Sequence, residues 1–264
     1  MRFTMSRRTL ALIAAATLAA TPSAVAGPPD LMKLQYAGYL ADAQVLDTRV
    51  EIGLGDDGPY RMTLSGSLVG ALGNLFQFRM KAASQGLDGA RGPRPRSYRS
   101  EISIQDSLQT VSLSYRPDGS VLLKDEPPTQ EGRAAVAGGL LAGTMDPLSA
   151  ALAIVEKVSR TGSCAGRYRI FDGVRRYDLA LGPAPAGLAP PRLPAAPDAQ
   201  AVACDAAITL RSGFPRYAVE AGMYPSSARF WLARDVIGTA PALLRVEAES
   251  GLGRLRLDLR AILP

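Results

Sequence analysis

One pattern limits this chain more than any other: apolar and polar residues alternate with a period of two, in short runs spread along most of its 264 residues. Leu46, Thr48, Val50, Ile52 and Leu54 fall on one face, while Asp47, Arg49 and Glu51 fall on the other. Successive strand residues point to opposite sides, so each such run reads as a strand with one buried and one wet face. Leu34, Tyr36, Gly38 and Leu40 begin the series; Tyr60, Met62 and Leu64, and then Phe76, Phe78 and Met80, continue it. Residues 66–74 join two of these runs as a helical turn or a wide bend. Further runs lie at Ile102–Ile104, Val111–Tyr115, Val121–Leu123, Val202–Leu210 and Phe230–Leu232. The last two, Leu243–Glu249 and Arg254–Arg260, should pair across Ser250 to Gly253. The pattern predicts about ten to thirteen short strands. One-sided strands favour a single antiparallel sheet over a parallel α/β sheet, whose strands are apolar on both sides.

The stretch from Gly143 to Leu181 breaks the alternation once and then restores it. Asp146 followed by Pro147 is a helix start: the carboxylate accepts free first-turn amides, and proline fits a position whose N–H has no partner anyway. Leu148, Ala151, Leu152, Val155 and Val158 recur at three- and four-residue spacing, which predicts a helix over about 146–159 with one apolar face. Gly162 closes it. Asp172-Gly173 then sits between two alternating runs, a strong hairpin signal. The expected fold is mainly β: a highly curved antiparallel sheet, half-barrel or β-spiral, with this one helix packed on its concave side.

Arg2, Arg7 and Arg8 precede an apolar run from Leu10 to Ala20, and Ala24-Val25-Ala26 supplies small residues for cleavage. This predicts a signal peptide over residues 1–26 and a single β-rich domain over 27–264 in the periplasm. Ser6-Arg7-Arg8-Thr9-Leu10 also partly resembles a twin-arginine export signal. No later run is long and apolar enough for a transmembrane helix. The net charge of +6 includes those three arginines, so the remainder is only mildly basic and calls for no nucleic-acid partner.

Cys164 and Cys204 are the only cysteines. In an oxidising compartment an isolated pair forms a disulfide, here around the hairpin and a proline-rich segment at 182–198, which reads as an exposed loop. A redox or metal role lacks support, because the two lack Cys-x-x-Cys spacing and the chain contains no histidine. Gly86 to Arg99, with Arg91, Arg94, Arg96 and Arg99, reads as a solvated loop, with an anion patch as its alternative.

The missing histidine removes the usual general base, the serine–histidine–aspartate triad and histidine metal sites. No Ser-x-x-Lys arrangement replaces them, and no cofactor is expected. Asp146 with Ser149 reads as a cap and first-turn pair, Asp172 and Gly173 as turn residues, and Asp56, Asp57 and Asp118 as turn chemistry rather than calcium ligands. Arg175, Arg176 and Asp178 form the one dense polar cluster on a strand. One arginine should point inward with Asp178 and the other outward with Tyr177, the inward one paired because an unpaired buried charge is costly. An anion site at the helix mouth is the alternative.

Gly143-Thr144-Met145-Asp146-Pro147-Leu148-Ser149 and Phe171-Asp172-Gly173-Val174-Arg175-Arg176-Tyr177-Asp178 resemble motifs of the secreted proteobacterial family catalogued as domain of unknown function 3108. Tyr36-Ala37-Gly38-Tyr39 and the strands after Trp231 match it more weakly. The resemblance implies a curved β structure, distantly similar to periplasmic lipoprotein-carrier half-barrels and β-spiral envelope-integrity proteins, and implies no established activity. The expectation is a non-catalytic protein supporting the cell envelope, with a lipid, glycan or protein segment in the concave face. Alternatives are an envelope hydrolase or transferase with an unrecognised site, and an outer-membrane barrel, which the few aromatics and the Leu263-Pro264 end disfavour.

Overall fold

The alternating runs assemble into one antiparallel sheet of 13 strands. The computed structural model describes residues 31–55, 58–125, 133–197, 199–234 and 241–263. The expected signal peptide at 1–26 and the Asp56-Asp57 turn lie outside the described residues. One half of the sheet is β1 Leu31–Leu40, β2 Ala43–Leu54, β3 Pro59–Leu68, β4 Phe78–Leu87, β5 Arg94–Ile104, β6 Ser107–Tyr115 and β7 Val121–Asp125. The other is β8 Gly166–Phe171, β9 Arg176–Pro183, β10 Ala201–Ser212, β11 Ser227–Ala233, β12 Ala242–Ser250 and β13 Gly253–Leu263. Helices α1 Gly70–Leu75, α2 Pro147–Thr161 and α3 Arg216–Glu220 complete it. Strand β1 pairs with both β2 and β13, so the first and last strands meet in the middle of the sheet. Consequently β7 and β8, consecutive in sequence, are its two edges.

That order forces the chain between β7 and β8 to cross the sheet, and α2 lies on the crossing. A flat sheet of 13 strands would be about 58 Å wide at ~4.8 Å per strand. The observed edges are far closer. The Gly143 N–H donates to the carbonyl of Gly119 in the β6–β7 turn at 3.1 Å, and two residues on Met145 pairs with β8. Its N–H donates to Arg169 O at 2.9 Å, and its carbonyl accepts from Phe171 N–H at 3.0 Å. Two residues span at most about 7 Å. The sheet is therefore strongly curled yet unclosed, with Gly143–Met145 lying between its ends.

Helix α2 starts as its sequence dictates. Asp146 Oδ1 accepts from Leu148 N–H and Ser149 N–H, both at 3.0 Å, and Gly162 ends the helix at φ 68°. Instead of one buried stripe it has two. Leu148 and Leu152 pack with Tyr60, Met62, Tyr98, Leu113 and Phe171, whereas Ala150, Ile154 and Val158 pack with Ile170, Leu179, Cys204 and Leu232. A helix inside a curl touches both arms, so the single-face expectation is too narrow. Cys164 and Cys204 are bonded, with Cα atoms 5.4 Å apart, which ties the chain just after α2 to β10. Closing a loop of 40 residues is worth about 4 kcal/mol in the chain-entropy model.

Two further expectations need correction. The proline-rich segment 182–198 is not wholly exposed: Leu193 and Ala196 are buried against Trp231, Leu244 and Leu259. Along β11, Phe230 and Leu232 face the α2 cluster while Trp231 and Ala233 join Leu193, so this strand is covered on both sides. The segment reaches the core through single small or branched residues between prolines, which leave no periodic trace. The Gly86–Arg99 stretch is also not all loop, because β5 begins at Arg94 and Pro95 sits opposite Gly86 beside a register shift, where a missing N–H is tolerated.

The β8–β9 turn seals the curl. Gly173 has φ +93°, and a Cβ there would overlap Val111 Cγ1 on β6, in the opposite arm. Replacing Gly173 with alanine should lower stability by about 2 kcal/mol or more, from strain and overlap together. In a chemical-denaturation double-mutant cycle, Val111→Ala should recover part of that loss, and strictly additive effects would contradict the contact.

Glu156 is the one acid that α2 buries, at 8% exposure. Burial raises its carboxyl to about 7, with Asp88 adding to the rise and Arg160, 3.9 Å away, opposing it. A folded value above the unfolded one gives stability that is complete below the unfolded value, near 4.5, and is lost as pH climbs through about 7. Glu156→Gln should therefore raise the melting temperature at pH ~8, by the equivalent of about 1–2 kcal/mol, and change it little at pH ~5. Calorimetric melts across that range would check this.

Candidate functional site

The concave surface of β3–β6 is built in rows set by register. Met62, Ser84, Tyr98 and Leu113 form one row; Leu64, Ala82, Ser100 and Val111 the next; Met80, Ile102 and Gln109 a third; Phe78 and Ile104 a fourth. Leu148 and Leu152 pack against the first row. In the next row Val111 is buried beneath Gly173, but Met80, Ile102, Phe78 and Ile104 beyond it stay partly exposed, because α2 starts at Pro147 and runs toward the other arm. What remains is a groove of about 530 Å³, floored by Leu64, Met80, Ile102 and Val111 and walled by Pro147, Val174, Pro215 and Tyr224. This is a ligand-sized volume with a largely apolar floor. Lys81, Arg133, Asp172 and Arg175 also line it.

At its outer end lie Phe78 and Ile104, and several large apolar side chains in the turns nearby are exposed. Ile104 is 49% exposed, Phe76 49%, Leu108 62% and Leu75 69%. The Gln105 N–H donates to Gln77 O at 2.8 Å, which holds the β5–β6 turn beside the start of β4. Phe76 is thus not part of the fourth strand, as its alternation suggests. It follows α1, outside the sheet. Ile104 lines the groove, whereas Leu108, opposite Ser103, lies on the other face of the sheet.

The polar cluster on β9 divides differently from expectation. Arg176 and Asp178 do pair, at 2.6 Å, and Arg176 is 2% exposed. Its Nε also donates to Leu140 O at 3.1 Å, so this pair lies under the 138–140 turn. Arg211 holds the second Asp178 oxygen at 2.7 Å, and these arginine hydrogen bonds, against the opposing effect of burial, keep the Asp178 carboxyl below its ordinary range. Tyr177, on the alternate face, packs with the α2 cluster and, with Arg175, lines the groove. The inward and outward assignments are reversed because the outer face of β9 is itself covered.

Asp172 is a turn residue whose carboxylate organises its neighbours. Oδ1 accepts from Val174 N–H at 2.9 Å and Arg175 N–H at 2.6 Å, while Oδ2 accepts from Arg175 Nε at 2.9 Å. Gly173 supplies the close approach to β6. The hairpin motif thereby places Arg175 at the groove wall.

Asp146 and Ser149 belong to a buried network. Asp146 Oδ2 accepts from Ser149 Oγ at 2.5 Å and Ser84 Oγ at 3.0 Å, and Tyr60 O–H bonds Ser149 Oγ at 2.7 Å. Burial pushes the Asp146 carboxyl up, against the pull of these donors, and burial raises Tyr60 to about 12. Asp146 and Ser149 are both 0% exposed. The network pins the first turn of α2 to β3 and β4, and a substrate has no path to its oxygens. Among the described residues, no three histidine, cysteine, aspartate or glutamate side chains gather as a metal site, and no helix is long and apolar enough to cross a membrane.

Sequence reasoning placed Phe78, Met80, Ile102 and Val111 on strands but did not see them as a site. Alternation tells which face is apolar, not how much of that face a helix covers. The length of α2 was the usable signal, since 15 residues reach about 22 Å and cannot roof a whole half-sheet.

No protein-family model matches the chain, and no curated protein matches it. Its structure is similar to a crystal structure of a β-barrel-like protein of domain of unknown function DUF1849 from Brucella abortus. The TM-score is 0.51 at 15% identity, covering 91% of this chain and 99% of that one. At that identity the likeness establishes the fold alone: a curved, β-barrel-like domain to which no activity is attached.

Proposed function

We propose that this chain is an exported, non-catalytic protein of the periplasm that supports the cell envelope by holding a lipid, glycan or protein segment in its concave groove. One observation carries the reading: the outer two rows of the concave face, Met80 with Ile102 and Phe78 with Ile104, remain partly exposed in a groove beside the N-terminal end of α2. Burying apolar area gains about 25 cal/mol per Å², so an uncovered apolar floor favours an occupant. Export rests on the arginine-led apolar run before Ala26 and on the Cys164–Cys204 bridge, a bond at home in oxidising compartments. The resemblance of two motifs to domain of unknown function 3108 agrees with a secreted envelope protein and carries no activity. A non-catalytic role is supported by the lack of histidine and by a serine–aspartate network closed to solvent. An envelope hydrolase would need an exposed nucleophile with a base beside it.

The protein should carry an apolar ligand when purified gently from its native compartment. Organic extraction followed by mass spectrometry should recover a stoichiometric amphiphile or chain segment from the native protein. Met80→Trp, which fills the third row, should abolish that recovery while leaving the melting temperature within about 1 kcal/mol-equivalent of the parent. Equal recovery from both proteins would sink the groove as the binding site.

A further inference from the structure

We propose that the groove takes an elongated amphiphile with one anionic head group, its tail along the apolar floor and its head at Arg175. This deepens the binding role given above and rests on it. The inference comes from how Arg175 is held. Asp172 takes its Nε at 2.9 Å, and the other Asp172 oxygen is occupied by the Val174 and Arg175 amides. Among the described residues, no protein acceptor is bonded to the two terminal amino groups of Arg175, which is 37% exposed at the groove wall.

A guanidinium fixed through Nε offers its two remaining nitrogens as a planar pair, which matches two oxygens of one carboxylate or phosphate. Arg175 and the Asp172 carboxylate that holds its Nε form the charged pair at this wall, with Arg133 also in the lining. The guanidinium nitrogens left over give an anion two hydrogen bonds and a cation none. The floor is mainly aliphatic, with Leu64, Met80, Ile102 and Val111 around Ser100 and Gln109, and offers a sugar few partners. An acyl or alkyl tail needs none. It would leave through the apolar end at Phe78 and Ile104. Carboxylate and phosphate heads share the same two-oxygen chemistry, so the head separates a fatty acid from a phospholipid source.

The test uses the full chain, titrated calorimetrically with amphiphiles of one tail length below their micelle concentrations: dodecanoate, dodecyl phosphate, dodecyl maltoside and dodecyltrimethylammonium. The anionic pair should bind about tenfold or more tighter than the neutral or cationic ligand, the scale of one charge-assisted pair. Arg175→Gln should erase that preference, and Arg175→Lys should keep part of it, which separates lost charge from a disturbed turn. Whichever anion binds tighter identifies the head. Head-independent binding that Met80→Trp still abolishes would overturn the anionic head and leave the groove standing. Binding by none of the four, or binding that Met80→Trp leaves untouched, would overturn both.

Discussion

The pairing of β1 with β13 governs everything else in this molecule. Because the first and last strands meet at the centre of the sheet, each half meanders outward, and the free edges β7 and β8 fall on either side of the connection that carries α2. That connection must cross the sheet. Right-handed strand twist curls so wide a sheet, and a chain crossing its hollow is buried by both arms. The helix therefore needs two apolar stripes rather than one. The small side chain of Ala150 lets it sit deep, while Leu148, Leu152, Ile154 and Val158 fill the space on either hand.

An apolar helix in an apolar hollow could slide or rotate. Polar contacts at its beginning prevent this: Asp146, Ser149, Ser84 and Tyr60 form a mutually satisfied set, in which moving the helix would strand several buried oxygens at once. The Cys164–Cys204 bond holds the other end. With both ends fixed, the unroofed rows of β3–β6 stay open, and the groove follows from where the helix is pinned. The hairpin turn then brings one cation to its wall while Gly173 keeps the arms in contact.

Much of this was legible in the chain itself. Strands with a wet side announced themselves through alternation, as in Leu46–Leu54, and the Asp146-Pro147 start, the Asp172-Gly173 turn and the cysteine pair all stand where local chemistry places them. Each of these depends on neighbours close in sequence or on a rule that ignores distance. The failures share the opposite cause. Leu193 and Ala196 are buried by a partner surface far away in sequence, Ile154 by the second arm of the curl, and the sides taken by Arg175 and Arg176 by a cover over β9 that no periodicity encodes. The groove is the extreme case, being defined by what does not cover Met80 and Ile102.

The central claim is that the sheet curls until its two edges lie near each other around α2. Pulsed electron-paramagnetic-resonance distances between spin labels at Leu122 on β7 and Arg167 on β8, both exposed, test it most directly. A separation below half the ~58 Å width of a flat sheet is the predicted result. A distribution centred near that full width would contradict the curl, the buried crossing of α2 and the groove together.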